Sequence, residues 1–153
     1  MDDKIETTAE HAEASALRLG RAVHTDDAPC SGPEDAPLPD AIAKKPVEQK
    51  SPAEWAYERL ILYIKNFEES LEGEQEVAMG LTDTGAGVLR IEGLGYFDPD
   101  IVTFYGTDGT GARIQLVQHV TQLNVVLRAM AKPDEAAPAR RIGFDLARGL
   151  AED

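Results

Sequence analysis

The first third of this chain has no aromatic side chain. All nine aromatic residues lie between Trp55 and Phe144, whereas residues 1–54 contain six of the nine prolines. A segment with this composition cannot bury enough apolar surface to offset the entropy of ordering it. The sequence therefore predicts a disordered, acidic, proline-rich leader over residues 1–50. About 100 residues remain, which suffice for one small core and exclude a multidomain enzyme.

Basic residues are also scarce, and they form no cluster along the chain. The net charge is −13: residues 1–50 hold 6 basic and 11 acidic residues, residues 51–130 hold 5 and 12, and residues 131–153 hold 4 and 5. No segment has the positive footprint that a phosphate backbone attracts. Binding to duplex DNA is therefore not expected.

Cysteine and long apolar runs are nearly absent. Cys30 is the single cysteine, so an internal disulfide is excluded. The acidic N-terminus leads into no apolar run typical of a secretory signal. The longest apolar stretch, Leu60–Ile64, is far too short to span a membrane. We expect a cytoplasmic protein without a membrane partner.

A clear helix start follows the leader. Residues 51–54, Ser-Pro-Ala-Glu, place serine at the N-cap, proline at the first helical position and glutamate at the third. Apolar residues then recur with helical spacing from Leu60 to Leu71. Gly73 is the residue at which we expect the helix to end.

Beyond the helix the apolar period changes from 3.6 to 2, which is typical of strands. Residues 120–130 fit both a helical and a strand pattern, but the β-branched pair Val125-Val126 favours a short turn followed by a strand. A glycine-rich hairpin loop is expected at residues 106–111. The predicted strands are Val77–Leu81, Val88–Leu94, Ile101–Tyr105, Ala112–Gln118, one strand within residues 120–130, and a final edge strand at Arg140–Leu146.

These elements predict an α+β domain. The capped helix packs on a strongly bent five-stranded antiparallel sheet that closes as a small barrel, with Gly93 and Gly95 permitting the bend. The helix and barrel are expected over residues 51–131. Residues 132–153 are expected to form a linker and the short C-terminal edge strand.

No catalytic constellation can be assembled from the motifs. His119 is the one histidine of the expected fold, and it has no cysteine partner there, so neither a nucleophile pair nor a zinc cluster is expected. The glycines of residues 106–111 are not followed by Gly-Lys-Ser/Thr, as a phosphate loop requires. Asp83, Asp98 and Asp100 could pair as acid and base, but aspartate at such positions usually caps turns. We expect no enzyme activity, no metal and no cofactor.

His119 is the leading candidate for contact with a ligand. It follows an apolar strand and is flanked by Gln118 and Gln122, which can bond a planar ligand as readily as a backbone. A structural histidine whose hydrogen bonds are made within the protein is the alternative. Several aromatic residues either fill a core or an oligomer interface or stack on bases: Tyr96, Phe97, Phe104 and Tyr105.

Five stretches carry a resemblance to a known family: Pro52–Leu60, Gly95–Ile101, Phe104–Gly106, Gln115–Leu123 and Arg140–Phe144. Over residues 52–146 the chain resembles a family of uncharacterised bacterial and phage proteins that is classified only as a domain of unknown function. This resemblance implies no activity.

A second resemblance concerns the architecture. A helix, five short bent strands and a turn before the last strand are similar to the Sm-like fold of bacterial RNA chaperones, and Phe97-Asp98 and Gln115–His119 resemble that family's two motifs. The resemblance implies that His119 occupies the histidine position of the uridine pocket and Asp98 the turn aspartate. It also implies a ring in which strand four of one subunit pairs with strand five of the next. Gln118 stands where that family has a lysine.

These observations favour a non-enzymatic, self-associating binding module. Its ligand would be a nucleotide-like or single-stranded RNA group. One alternative is an interaction scaffold whose leader, with a helix-prone stretch at residues 8–19, recruits a protein partner by folding on binding. Another is sequestration of a small nucleotide signal, as a phage protein would perform it. The candidate ligand-binding residues are His119, Gln118, Tyr96 and Asp98.

Overall fold

The computed structural model describes residues 20–25, 32–80 and 87–151. The chain divides into two compact units, residues 1–38 and residues 39–153. The described part of the first unit contains a 3-10 turn at Pro33–Asp35. The helix-prone stretch at residues 8–19, Cys30 and Asp83 lie outside the described residues.

The second unit begins at Pro39, not at residue 51 as expected. Helix α1 (Asp40–Ala43) buries Ile42 completely. Lys50 donates to the Ile42 carbonyl through Nζ, which also lies 2.7 Å from Glu58 Oε1, and both charged side chains are buried. One apolar side chain and one buried ion pair thus hold residues 39–50 in the fold. A domain boundary drawn from composition misses this contact, because it depends on so few residues.

The predicted long helix is confirmed as α2 (Pro52–Glu69). Ser51 is its N-cap, and Ser51 Oγ accepts a hydrogen bond from the Glu54 N–H at 3.1 Å. The helix ends earlier than expected, with Ser70 rather than Gly73 as its C-terminal boundary, because the Ser70 N–H and hydroxyl both bond to carbonyls of the last turn. Its buried side packs on the sheet.

Five antiparallel strands form one sheet in the order β4-β3-β2-β1-β5. The strand predicted within residues 120–130 is confirmed, and a 3-10 turn (Val120–Gln122) precedes it. The first four predicted strands each begin and end within three residues of an observed one. The strands are β1 (Gln75–Gly80), β2 (Val88–Phe97), β3 (Ile101–Thr107), β4 (Arg113–His119) and β5 (Val126–Ala131).

The sheet is open, which differs from the expected barrel. Strands β4 and β5 are its two edges. The pairing of β2 with β3 shifts between Ile91 and Gly93, so Glu92 is an extra, bulged residue. Opposite this bulge, a Cβ on Gly106 would collide with the carbonyl oxygen of Arg90. The bend therefore comes from a bulge that only glycine can face.

The core lies between α2 and one face of the sheet, which we call the inner face. Side chains alternate between the two faces along each strand. The opposite side of the sheet is called the outer face below. The buried strand residues of the core are Val77, Met79, Leu89, Ile91, Val102 and Phe104.

The predicted C-terminal edge strand is wrong, because residues Gly143–Ala151 form helix α3. Ile142 and Leu146 pack against the core at the helical spacing of four, whereas Phe144 is 70% exposed. Over so short a stretch an alternation of apolar residues also contains an i, i+4 pair, and the two patterns cannot be separated.

Two buried carboxylates hold the segment that leads into α3. Glu68 accepts hydrogen bonds from the N–H groups of Ile142 at 2.9 Å and Gly143 at 2.6 Å. Glu76 accepts one from the N–H of Arg140 at 2.6 Å. Negative charge at a helix N-terminus is favourable, and a buried carboxylate requires such partners. The segment expected to be an exposed edge is therefore docked on α2 and β1.

Candidate functional site

The four residues proposed as a binding site from the sequence lie at one end of the sheet but not on one face. Tyr96 and Gln118 are both register partners of Val102, a fully buried core residue. His119 lies in the next register row, where side chains point to the outer face. Asp98 lies in the turn between β2 and β3. The structure thus brings Tyr96 and Gln118 together on the inner face and separates His119 from them.

Tyr96 is in contact with α2. Its hydroxyl donates to Glu54 Oε2 at 3.0 Å, and its ring centroid lies 5.0 Å from that of Tyr57. Lys45 pairs with the same Glu54 carboxylate at 3.0 Å. Burial raises the pKa of Tyr57, and the neighbouring carboxylate of Glu58 adds to the rise. Tyr96 therefore serves chiefly as a packing contact for the helix.

Asp98 is engaged at the start of α2. Its Oδ1 accepts a hydrogen bond from Ser51 Oγ, the N-cap of the helix. The carbonyl of Pro99 accepts the N–H of Ala53 at 3.0 Å. The turn between β2 and β3 thus holds the helix N-terminus, which is the turn role that aspartate often performs.

His119 makes hydrogen bonds through both ring nitrogens. Nε2 lies 2.9 Å from Asp100 Oδ2, and Nδ1 lies 2.8 Å from Thr121 Oγ1 and 3.2 Å from the Thr121 nitrogen. Because a backbone N–H can only donate, Nδ1 is the acceptor and the proton is on Nε2. The side chain is 41% exposed, so its ring face rather than its nitrogens is what a ligand could contact.

The same hydrogen bonds bear on nucleophilic chemistry. Asp100, His119 and Thr121 form a carboxylate–imidazole–hydroxyl chain, which is the order that activates a nucleophile in many enzymes. Here Nδ1 already accepts the N–H of Thr121, and the His119 N–H is bonded to Gln122 Oε1 at 3.0 Å. This bonding caps the 3-10 turn, which is a structural use of the imidazole.

A different surface is open on the outer face. It consists of three register rows that each cross β2, β3 and β4. The rows are Phe97–Ile101–His119, Gly95–Thr103–Val117 and Gly93–Tyr105–Gln115. We call these nine positions the nine-residue surface.

Large apolar and aromatic groups of this surface are exposed. The exposed fraction is 75% for Phe97, 56% for Val117 and 42% for Tyr105. A Cβ on Gly93 or Gly95 would lie 3.7 Å from a ring carbon of Tyr105. The ring therefore packs on a stretch of β2 that carries no side chains on this face, and the part of the ring turned away from β2 is the part open to a planar group.

The nine-residue surface contains no carboxylate, although the chain carries 28 acidic residues. Arg113 pairs with Thr107 in the next row and points to the same side as Tyr105. Its position on the edge strand leaves it exposed. The local electrostatics thus differ from those of the acidic chain as a whole.

Phe97 and Tyr105 were expected from the sequence as aromatic residues with several possible roles, outside the four candidate site residues. A signal to separate them was present in β3. Val102 and Phe104 are the apolar pair of one face, so Tyr105, adjacent to Phe104, must point the other way. The burial agrees, because Phe104 is fully buried and Tyr105 is not.

Among the described residues, no group of three or more histidine, cysteine, aspartate or glutamate side chains could hold a metal ion. No helix within those ranges combines the length and apolar character needed to cross a membrane.

The fold and its outer face define a small α+β domain with one open antiparallel sheet, a long helix packed on the inner face of that sheet, and an aromatic outer surface. The chain belongs to DUF6173, a family of unknown function, whose model matches residues 46–145. The predicted membership of an uncharacterised family over residues 52–146 is therefore confirmed. No curated protein and no solved structure matches the chain.

Proposed function

We propose that this domain is a non-enzymatic binding module that self-associates through its two sheet edges and takes a nucleotide-like or single-stranded RNA ligand. One observation carries the self-association. Edge strands β4 and β5 each contain a single arginine as their only Lys, Arg, Asp or Glu, and neither contains proline. Edge strands with so little charge and no proline have little protection against pairing with another strand.

A second copy of the chain fits both edges. Leu116 of β4 and Leu127 of β5 are inner-face residues that pack on the core. In an antiparallel pairing of β4 with β5 of the next copy, Leu116 opposite Leu127 places Val117 opposite Val126. Val117 is 56% and Val126 is 43% exposed, so this register covers two apolar pairs at once.

The contact is heterologous, because each copy offers β4 to one neighbour and β5 to another. Such contacts repeat and close into rings when the rotation allows it. The resemblance to the Sm-like fold implies the same pairing of strand four with strand five.

The experiment is the solution mass of the full chain by light scattering. We expect several subunits, and we expect Val117→Lys to yield monomers with an unchanged circular dichroism spectrum. Val47→Lys is the matched control, since Val47 is also exposed but lies outside the sheet. Combining Val117→Lys with Val126→Glu should restore assembly by placing opposite charges across the contact. A monomeric native chain would contradict the proposal.

The leader can be tested separately for a protein partner. Because residues 39–50 belong to the fold, the deletion to make is residues 1–38. Loss of a captured partner with unchanged assembly would favour the scaffold function. Unchanged capture would exclude the leader as the recruiting segment.

A further inference from the structure

We propose that single-stranded nucleic acid binds across the nine-residue surface, with bases stacked on Tyr105 and Phe97 and with Arg113 contacting the phosphate backbone. This inference rests on the proposed function, because it assigns the ligand class of that module to a defined surface. The surface includes one of the four residues expected from the sequence, His119.

The geometry of the aromatic residues favours stacking. The Tyr105 ring rests on Gly93 and Gly95, and with 42% of the residue exposed, the part of the ring turned away from β2 can stack with a base. Phe97 is 75% exposed at the other end of the surface. They lie two register rows apart, with one row between them, a distance of about 13 Å along the strands. Every base offers a face for such stacking, whatever its identity.

Between the two rings the surface is low, because Gly95 has no side chain, and it carries polar groups. Thr103 Oγ1 would lie 2.6 Å from a Cβ on Gly95, so the hydroxyl lies over the space that a side chain there would fill. Gln115 pairs with Tyr105 and supplies an amide that can both donate and accept. Base edges can therefore be hydrogen-bonded beside a stacking ring.

The charge pattern favours this surface over the rest of the protein for an anionic strand. The nine positions hold no carboxylate, and Asp100 at their edge is bonded to His119, while the chain as a whole is strongly acidic. Arg113 lies one row beyond Tyr105 on the same face. In the edge pairing proposed above, Arg128 of the next copy falls opposite Gln115 on that face. Assembly thus brings a second cation to each surface.

Binding is measured with the full chain and a fluorescein-labelled twelve-nucleotide oligouridylate, an oligoadenylate of equal length and a matched RNA duplex. We expect both single strands to bind and the duplex not to bind. Two phosphate contacts predict that log K falls with log salt at a slope of about −1.4.

The variants Phe97→Leu and Tyr105→Leu keep apolar bulk and remove the ring. Each should weaken binding of the oligouridylate about tenfold, which is within the range for loss of one stacked base. Phe144→Leu is the matched control, because Phe144 is 70% exposed on α3, away from the strands. Arg113→Gln should weaken binding and make the salt slope shallower by about 0.7.

Several results would overturn the inference. Retained affinity in the double variant of Phe97 and Tyr105 would do so, because the single strand would then bind at a different site. A change of solution mass in the ring variants would make the surface an interface between protein copies. A native chain that assembles but binds no single strand would refute the ligand and leave self-association standing.

Discussion

The two faces of the sheet use similar residues in different ways. On the inner face Phe104 is completely buried and Tyr96 is bonded to Glu54 of α2. On the outer face Phe97 and Tyr105 remain exposed beside side-chain-free positions of β2. Inner aromatic residues hold elements of the fold together, whereas an exposed apolar patch usually marks contact with another molecule. Contacts within the fold, more than residue type, separate the two roles here, because Tyr96 is bonded to α2 although it is 37% exposed.

The strongest test of this contrast replaces one phenylalanine on each face. Phe104→Ala should lower the free energy of unfolding by about 3–5 kcal/mol, because it removes a buried side chain and leaves a cavity. Phe97→Ala should change it by less than about 0.5 kcal/mol. Urea unfolding followed by Trp55 fluorescence measures both. A similar loss of unfolding free energy in the two variants would contradict the difference between the two faces.

A second test uses two glycines of neighbouring sequence. Gly106→Ala forces a methyl group against the Arg90 carbonyl, and we expect a loss of about 3 kcal/mol. Gly109→Ala places the methyl group where nothing lies within 4 Å and should cost less than about 0.5 kcal/mol. Urea midpoints of the two variants give the comparison. A tolerated Gly106→Ala would mean that β2 and β3 are not packed this closely at the bulge.

A third test removes a buried carboxylate that holds the C-terminal segment on the fold. Glu68→Ala leaves the N–H groups of Ile142 and Gly143 without their acceptor, so we expect a loss of about 2–3 kcal/mol. Amide hydrogen exchange of residues 142–151 should become faster than that of the sheet. Glu69→Ala, at an exposed neighbouring position, is the control. Exchange that stays slow in Glu68→Ala would show that apolar packing alone holds α3.

Sequence reasoning predicted the elements better than their arrangement. The start of α2 was clear because Ser51 and Glu54 are local to the bond they form. The docking of residues 39–50 depends on one isoleucine and one lysine, and the docking of α3 on carboxylates more than sixty residues away. A local sequence pattern cannot predict these contacts, because the partner residues lie outside the stretch that the pattern covers.

In the candidate site, too, the contacts that could not be predicted are those between residues distant in sequence. The hydrogen bond between His119 and Asp100 joins residues 19 positions apart, and it forms only when β4 lies beside β3. Which side of the sheet each aromatic residue faces depends on pairing register, and the bulge at Glu92 shifts that register. Alternation within β3 could still have assigned Tyr105 correctly.

The smallest expected effect concerns the exposed hairpin loop between β3 and β4. Hydrogen bonds from the hydroxyl and N–H of Thr110 lower the pKa of Asp108. A lowered folded-state pKa stabilises the fold above the unfolded value of about 3.9, and this contribution is lost as pH falls through the folded pKa. The stability difference between the native chain and Asp108→Asn should therefore narrow below about pH 4. Urea unfolding across that range measures it, and a constant difference would contradict the assignment.

The carboxylates of Glu68 and Glu76 also set an order of events during synthesis. Their partners lie 64 to 75 residues later in the chain. At ribosomal rates of about 5–20 residues per second, the partners of Glu68 are added about 4–15 s after Glu68 itself. During that interval the nascent domain holds uncovered acidic and apolar groups, and a chain that stalls before Arg140 is a natural substrate for chaperones and proteases.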